Sequence, residues 1–194
     1  MVEFEEQRYG RNKNTLVDHS MLEGGSYRRK FDEISNNPKL NKLLYQLSKK
    51  ILNHRSGTMQ EDMYWINPET LEIVAEITDS RENSKITYTE SVKKVIRNSE
   101  NLITIHSHPM SSPPSLDDIN CNAMYHYSLG VVVCHNGSIY IYSSEEQISR
   151  EYYGRKLEEF YRELYDMDAA CLAVLQKLSD DNHILFKEVT INAV

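Results

Sequence analysis

The feature that most restricts the fold is an apolar, β-branched run near the middle of the chain, residues 102–106 (LITIH). Residues of this kind favour extended structure. We therefore expect a central β-strand here, followed by a sharp change of direction, because Pro109 comes three residues after the run. Every other predicted element has to be placed around this strand.

Alternating apolar and polar residues predict the remaining strands. Two hairpins are expected, formed by residues 63–66 with 71–77 and by residues 130–134 with 138–142. Asn136-Gly137 predicts a type I′ turn in the second hairpin, because both residues tolerate positive φ angles. Residues 86–88 are expected to add a third strand to the first hairpin, and residues 184–191 an edge strand.

Three helices are predicted from their first residues. Asn37 is a good N-cap for a helix that ends near His54, and Pro38 fits its first position. Thr89 is the expected cap of a short helix whose inward residues are Val92, Val95 and Ile96. The Ser115-x-x-Asp118 pattern has the form of a capping box.

The C-terminal part is helical in pattern to about residue 178, with breaks expected near Gly154 and Asp166. These elements predict an α+β fold, a mixed β-sheet flanked by helices with a C-terminal helical appendage. We divide the chain into an N-terminal extension, a central domain and this appendage, over residues 1–36, 37–144 and 145–194. The extension is polar, and we expect it to be a tail with one short helical piece near residues 27–34.

Charge and cysteine content restrict the class of function. With 22 basic and 29 acidic side chains, the formal net charge is −7, which predicts that the protein does not bind nucleic acid through phosphate contacts. Three widely spaced cysteines form no disulfide framework or zinc knuckle and indicate a reducing compartment. With no apolar run of membrane-spanning length and no signal peptide, we expect a cytoplasmic protein without membrane contact.

The strongest functional pattern follows the central strand. If the chain stays extended, His106 and His108 project to the same side, because side chains alternate along a strand. Asp118, in the first turn of the next helix, can add an oxygen ligand. Three protein ligands leave a fourth tetrahedral position for water, which is typical of a catalytic zinc site. Asp117 is the alternative ligand, although the Ser-x-x-Asp spacing favours Asp118.

Two further residues are expected to act in catalysis. Glu61 lies where the first long helix leads into the sheet and is the candidate general base for the zinc water. Ser115 is the candidate donor to the oxyanion. Three other acids of the same hairpin are expected to be solvated, namely Glu69, Glu72 and Glu76.

The pattern His-x-His-Pro followed by Ser-x-x-Asp, with an upstream Glu, resembles the JAMM (JAB1/MPN/Mov34) metalloproteases, especially their bacterial and phage JAB-domain branch. The likeness covers about residues 42–143, with six residues between His108 and Ser115 where the family usually has seven. It implies the JAB/MPN fold, which is similar to that of cytidine deaminases. It also implies one Zn²⁺ per chain, bound by His106, His108 and Asp118, with Glu61 as acid/base and Ser115 at the oxyanion.

The resemblance implies hydrolysis of a peptide or isopeptide bond in a protein or peptide substrate, a class that includes ubiquitin-like proteins. The chain lacks room for the insertions with which eukaryotic members grip ubiquitin, so ubiquitin specificity is not implied. Two alternatives stay open. One is a non-catalytic scaffold on the same fold, and the other is a phage-associated structural or DNA-repair-associated module. The pattern leaves the oligomeric state open.

Overall fold

A computed structural model describes residues 12–191. Its centre is a six-stranded mixed sheet with the strand order β2-β1-β3-β4-β5-β6. The strands are β1 (Met63–Ile66), β2 (Ile73–Ile77), β3 (Ile103–His108), β4 (Leu129–Cys134), β5 (Ile139–Ser143) and β6 (Leu185–Glu188). The β3–β4 pair is parallel, and the other neighbouring pairs are antiparallel. The sheet is therefore mixed and flanked by helices, as expected for the α+β class.

Seven α-helices surround this sheet. They are α1 (His19–Glu23), α2 (Gly25–Asp32), α3 (Pro38–Arg55), α4 (Glu90–Arg97), α5 (Leu116–Tyr125), α6 (Arg150–Leu164) and α7 (Met167–Asp180), and a 3₁₀ turn at Lys13–Thr15 precedes them. The predicted caps of three helices are confirmed, since the side chains of Asn37, Thr89 and Ser115 accept backbone hydrogen bonds at the starts of α3, α4 and α5. None of the helices within residues 12–191 combines the length and the apolar character that crossing a bilayer requires.

The two faces of the sheet are covered differently. On one face, α3 packs with α1 and α2 over the inward side chains of the central strands in one continuous apolar cluster. On the other face there are two separate clusters. One lies under α6 and α7 beside β4, β5 and β6, and the other lies under α4 beside β1 and β2. The side chains of β3 that lie between these two clusters belong to neither.

The segment before α3 differs from the polar tail expected there. Its short helical piece is present as α2, but Val17, Leu22, Tyr27 and Phe31 are also buried in the same apolar cluster as α3. Aromatic residues spaced among charged ones give a weak helical period in the sequence. Their burial depends on α3, a partner that the local pattern does not reveal. The first eleven residues of the expected extension lie outside the described residues.

Two other expectations about the first half of the sheet are wrong. Residues 86–88 form no strand; Ile86 and Tyr88 instead pack beside the cluster under α4, and the Tyr88 ring meets Trp65 edge-on at 5.0 Å. In α4, Val92 and Ile96 are buried as expected, whereas Val95 is exposed. Residues four apart lie on the same side of a helix, so Val92 and Ile96 form the side of this two-turn helix that faces the sheet. Val95 lies outside that side.

The second half of the chain also differs in two places. The β4–β5 connection is not a type I′ turn, because only Gly137 has a positive φ, 87°, while Asn136 does not. The Gly137 N–H donates to the Cys134 carbonyl, which makes this a three-residue loop with glycine in the left-handed position. Helix α6 continues through Gly154 because a single glycine in an exposed helix costs only about 1 kcal/mol. The break near Asp166 is confirmed, since Asp166 caps α7.

Candidate metal centre

The two histidines of β3 lie on one face of the sheet, as the strand alternation predicts. Thr104, His106 and His108 alternate with Ile103, Ile105 and Ser107 along β3, and both imidazoles are buried. Their Nε2 atoms are 3.1 Å apart. Two buried ring nitrogens at this distance need a shared proton or a shared cation between them.

Asp118 completes the cluster from the first turn of α5. Its carboxylate closes a capping box with Ser115: Oδ2 accepts hydrogen bonds of 2.7 Å from both the backbone N–H and the hydroxyl of Ser115. The same carboxylate places Oδ1 3.4 Å from the Nε2 atom of His106 and Oδ2 3.5 Å from that of His108. The cap therefore orients Asp118 and leaves Oδ1 free to act as a ligand.

The three side chains fit a small tetrahedral metal ion. One ligand atom from each lies within 4.8 Å of the other two. Zinc bonds of about 2.0–2.1 Å place two ligand atoms of a tetrahedron roughly 3.3 Å apart, close to the 3.1 Å between the two Nε2 atoms and the 3.4 Å from His106 Nε2 to Asp118 Oδ1. His108 Nδ1 donates to the Ser112 carbonyl at 2.9 Å, which leaves the lone pair of Nε2 directed into the cluster. The geometry is thus compatible with a bound metal.

Without a metal, opposite charges hold the cluster together. Burial disfavours the charged form of His108, but the hydrogen bond and charge of Asp118 outweigh it and raise the pKa of His108 to about 9. Burial also works against the Asp118 carboxylate, yet the neighbouring His106 and His108 hold its pKa well below the usual range. A cation arriving here therefore meets an ionised carboxylate and has to displace a proton from His108.

Glu61 lies on the same groove, just before β1. Its side chain is buried, and burial raises the pKa of the carboxyl above its ordinary value, although the nearby His108 and His106 oppose the shift. The next residue, Asp62, connects this segment to β3: its N–H donates to the Ser107 hydroxyl, and its carbonyl accepts from the Ser107 N–H. Glu61 is therefore held at the start of β1, beside β3, and has the perturbed acidity that general bases commonly show.

The other acids lie as the sequence suggested. Asp117, the alternative ligand, points away from the histidines and forms an exposed ion pair with Arg150, with 2.5 Å between Oδ1 and Nη2. Glu69, Glu72 and Glu76 are all exposed. Asp118 rather than Asp117 is thus the acid beside the two histidines.

A groove of about 530 Å³ connects these residues. It is bordered by Glu61, His106, His108, Ser115 and Asp118, and continues past them along β3 to Thr104. A larger cavity, about 690 Å³, lies between the 143–149 loop and the end of α7 and contains none of the predicted site residues. We regard the smaller groove as the functional one because it contains the titratable cluster.

A buried ion pair supports the Glu61 segment, and sequence reasoning did not identify it. Arg55, at the end of α3, is fully buried, forms an ion pair with Asp62 and donates to the carbonyls of Thr78 and Ser80. It joins the end of α3 to the start of β1 and to the segment after β2. Nothing in the local pattern marks Arg55, because a basic residue in a last helical turn is ordinary.

No family model, no curated protein and no solved structure matches the chain. We therefore infer the function from the site itself.

Proposed function

We propose that this protein is a zinc-dependent hydrolase of the JAMM type that cuts a peptide or isopeptide bond in a protein or peptide substrate. The observation that carries the proposal is the cluster of His106, His108 and Asp118 at the floor of an open groove, in which the two Nε2 atoms lie 3.1 Å apart and each lies 3.4 or 3.5 Å from an oxygen of Asp118. The fold supports it as an α+β sheet with helices on both faces.

We assign a separate role in the reaction to each residue of the site. His106, His108 and Asp118 would hold one Zn²⁺ per chain, which when bound supplies an activated water and polarises a carbonyl. Glu61 takes the proton of the attacking water and returns it to the leaving amine, and its raised pKa suits both steps. Ser115 donates a hydrogen bond from its hydroxyl to the oxyanion. In the structure the hydroxyl proton points to Asp118, so it has to turn toward the substrate.

The free cysteines and the net charge support the cellular location and the class of partner that we propose. All three cysteines are free thiols, which supports a reducing, cytoplasmic location. The net charge of −7 supports a protein or peptide partner rather than nucleic acid.

The test is cleavage of a mixed library of peptides and isopeptide-linked peptides by zinc-loaded protein, read by mass spectrometry. Glu61→Gln should lower the rate by about 10²–10⁴-fold while one zinc per chain stays bound. Glu69→Gln is the matched control, an exposed acid in the neighbouring turn, and should cleave like the wild type. Full activity of Glu61→Gln would refute its role as the base.

A non-catalytic scaffold is the second candidate. The observation that favours it is the closed arrangement at α5, where Ser115 and Asp118 satisfy each other's hydrogen bonds. A zinc-loaded protein that cleaves nothing in the library would support this alternative.

A further inference from the structure

The groove extends past the metal ligands toward the middle of the sheet. We infer that this inner part is a subsite for an uncharged substrate side chain, next to the scissile amide. The inference rests on the proposed function and deepens it by naming a substrate class. The subsite, called the inner subsite below, is formed by Met63, Thr104, Cys121, Tyr127 and Tyr142.

The floor of the inner subsite follows from strand register. Thr104 lies two residues before His106 on the same face of β3, so the floor continues directly from the ligands. Thr104 pairs with Gly130 of β4, and Gly130 pairs with Tyr142 of β5. A Cβ on Gly130 would lie 2.2 Å from the Tyr142 ring. The glycine thus lets this ring lean across β4 toward the groove.

The two walls come from different elements. On one side, α5 presents Asp118 and Cys121, three residues apart on the same helix face. On the other side, Met63 pairs with His106 across β1, and Tyr127 accepts a hydrogen bond from Trp65 at 2.9 Å. A side chain that passes the metal ligands therefore enters a narrow space between two rigid walls.

None of the five residues that form the inner subsite carries a charge. The charged groups of the groove are the three candidate ligands, the buried Glu61 beside them, the exposed Lys85 and the pair of Arg150 with Asp117. An ionised side chain would lose its hydration in the inner subsite without gaining a counter-charge from its walls, which is strongly unfavourable. The space therefore selects uncharged side chains.

Thr104 adds a polar feature to this apolar space. It is 1% exposed, and its hydroxyl lies beside that of Tyr142. A bound polar group such as the amide of Gln can exchange hydrogen bonds with these hydroxyls.

The mouth of the groove fits a peptide. Met110 and Met124 border it and are 55% and 53% exposed, which is unusual for a large apolar side chain. Methionine adapts its shape to different apolar partners. The groove thus offers adaptable methionine contacts at its mouth and the inner subsite at its other end.

The experiment uses acetylated amino-acid hydroxamates as probes, with Gly, Leu, Met, Gln, Lys or Glu as the amino acid. The zinc-binding group is constant, so differences in Kd measured by calorimetry on zinc-loaded protein report the side chain alone. The Leu, Met and Gln probes should bind about tenfold more tightly than the Gly probe, or better. The Lys and Glu probes should bind no more tightly than the Gly probe.

A pair of variants tests whether the inner subsite causes the difference in affinity between the probes. Cys121→Leu should fill the inner subsite and remove the advantage of the larger probes. Cys171→Leu is the matched control, because Cys171 is also half-buried but lies on α7 away from the groove, and it should keep the advantage. Melting temperatures verify that both variants fold, with Cys121→Val as the milder substitute.

Each outcome separates the two proposals. If all probes bind zinc-loaded protein equally, the inner subsite is refuted and the metal function stands. If the advantage of the larger probes survives in Cys121→Leu, the subsite is not where we place it and the inference fails. If no probe binds, the proposed zinc function fails, and the inference fails with it.

Discussion

The two faces of β3 are almost equally buried but chemically opposite. Ile103 and Ile105 join the apolar cluster under α3, while His106 and His108, displaced by one residue, meet Asp118 on the other face. Apolar side chains on a buried face gain stability from packing, whereas imidazoles and a carboxylate lose hydration and need strong partners. The face of β3 that carries the isoleucines therefore stabilises the fold, and the face that carries the histidines forms the candidate metal site.

Substituting neighbouring acids of α5 should give the largest difference. Asp118→Asn removes the anionic ligand and should lose zinc during purification, because the remaining imidazole pair has no charge to balance the cation. Asp117→Asn should keep one zinc per chain, since it loses only an exposed ion pair with Arg150. Elemental analysis of the two variants measures this, and the reverse result would assign the ligand to Asp117.

A substitution on the other face of β3 should affect stability and spare the metal. Ile105→Ala leaves a cavity in the cluster under α3, with an expected loss of about 2–5 kcal/mol in the free energy of unfolding. Zinc per chain should stay at one, measured below the unfolding transition. Loss of zinc from a folded Ile105→Ala protein would show that the two faces are not independent.

Ser115→Ala tests how the α5 cap supports the site. It removes the hydroxyl that orients Asp118 Oδ2, so zinc affinity should fall about 10–100-fold, as when other outer partners of ligands are removed. Competition with a chromogenic chelator gives the affinity. An unchanged zinc Kd would mean that the hydrogen bond between Ser115 and Asp118 stabilises only the start of α5.

Zinc binding should also depend on pH. The pKa of His108 is raised to about 9 in the metal-free protein, so below that pH zinc has to displace a proton. The affinity should therefore rise with pH, by about tenfold per pH unit for one displaced proton, and level off above about pH 9. Chelator competition between pH 6 and 9 checks this. A constant affinity over that range would contradict the proton-linked cluster.

The sheet and the site cluster could be predicted from sequence because their signals are local. Alternation along β3 places both histidines on one face, and the capping box fixes Asp118 one turn from Ser115. The β4–β5 hairpin was likewise expected, although its turn type was not. Each of these patterns involves residues within a few positions of each other.

The remaining features depend on contacts between distant segments. Burial of Tyr27 and Phe31 requires α3, and the Arg55–Asp62 pair joins a helix end to a strand start. The inner subsite depends on Gly130, whose missing side chain matters only because the Tyr142 ring lies over it. The sequence shows such residues but not the neighbours that give them a role.

Elemental analysis of zinc per chain tests whether the polar face of β3 binds a metal. It requires wild-type protein purified without added metal, alongside His108→Ala. We predict about one zinc per chain in the wild type and none in the variant. No zinc in the wild type even after reconstitution, or equal zinc in both proteins, would contradict the account.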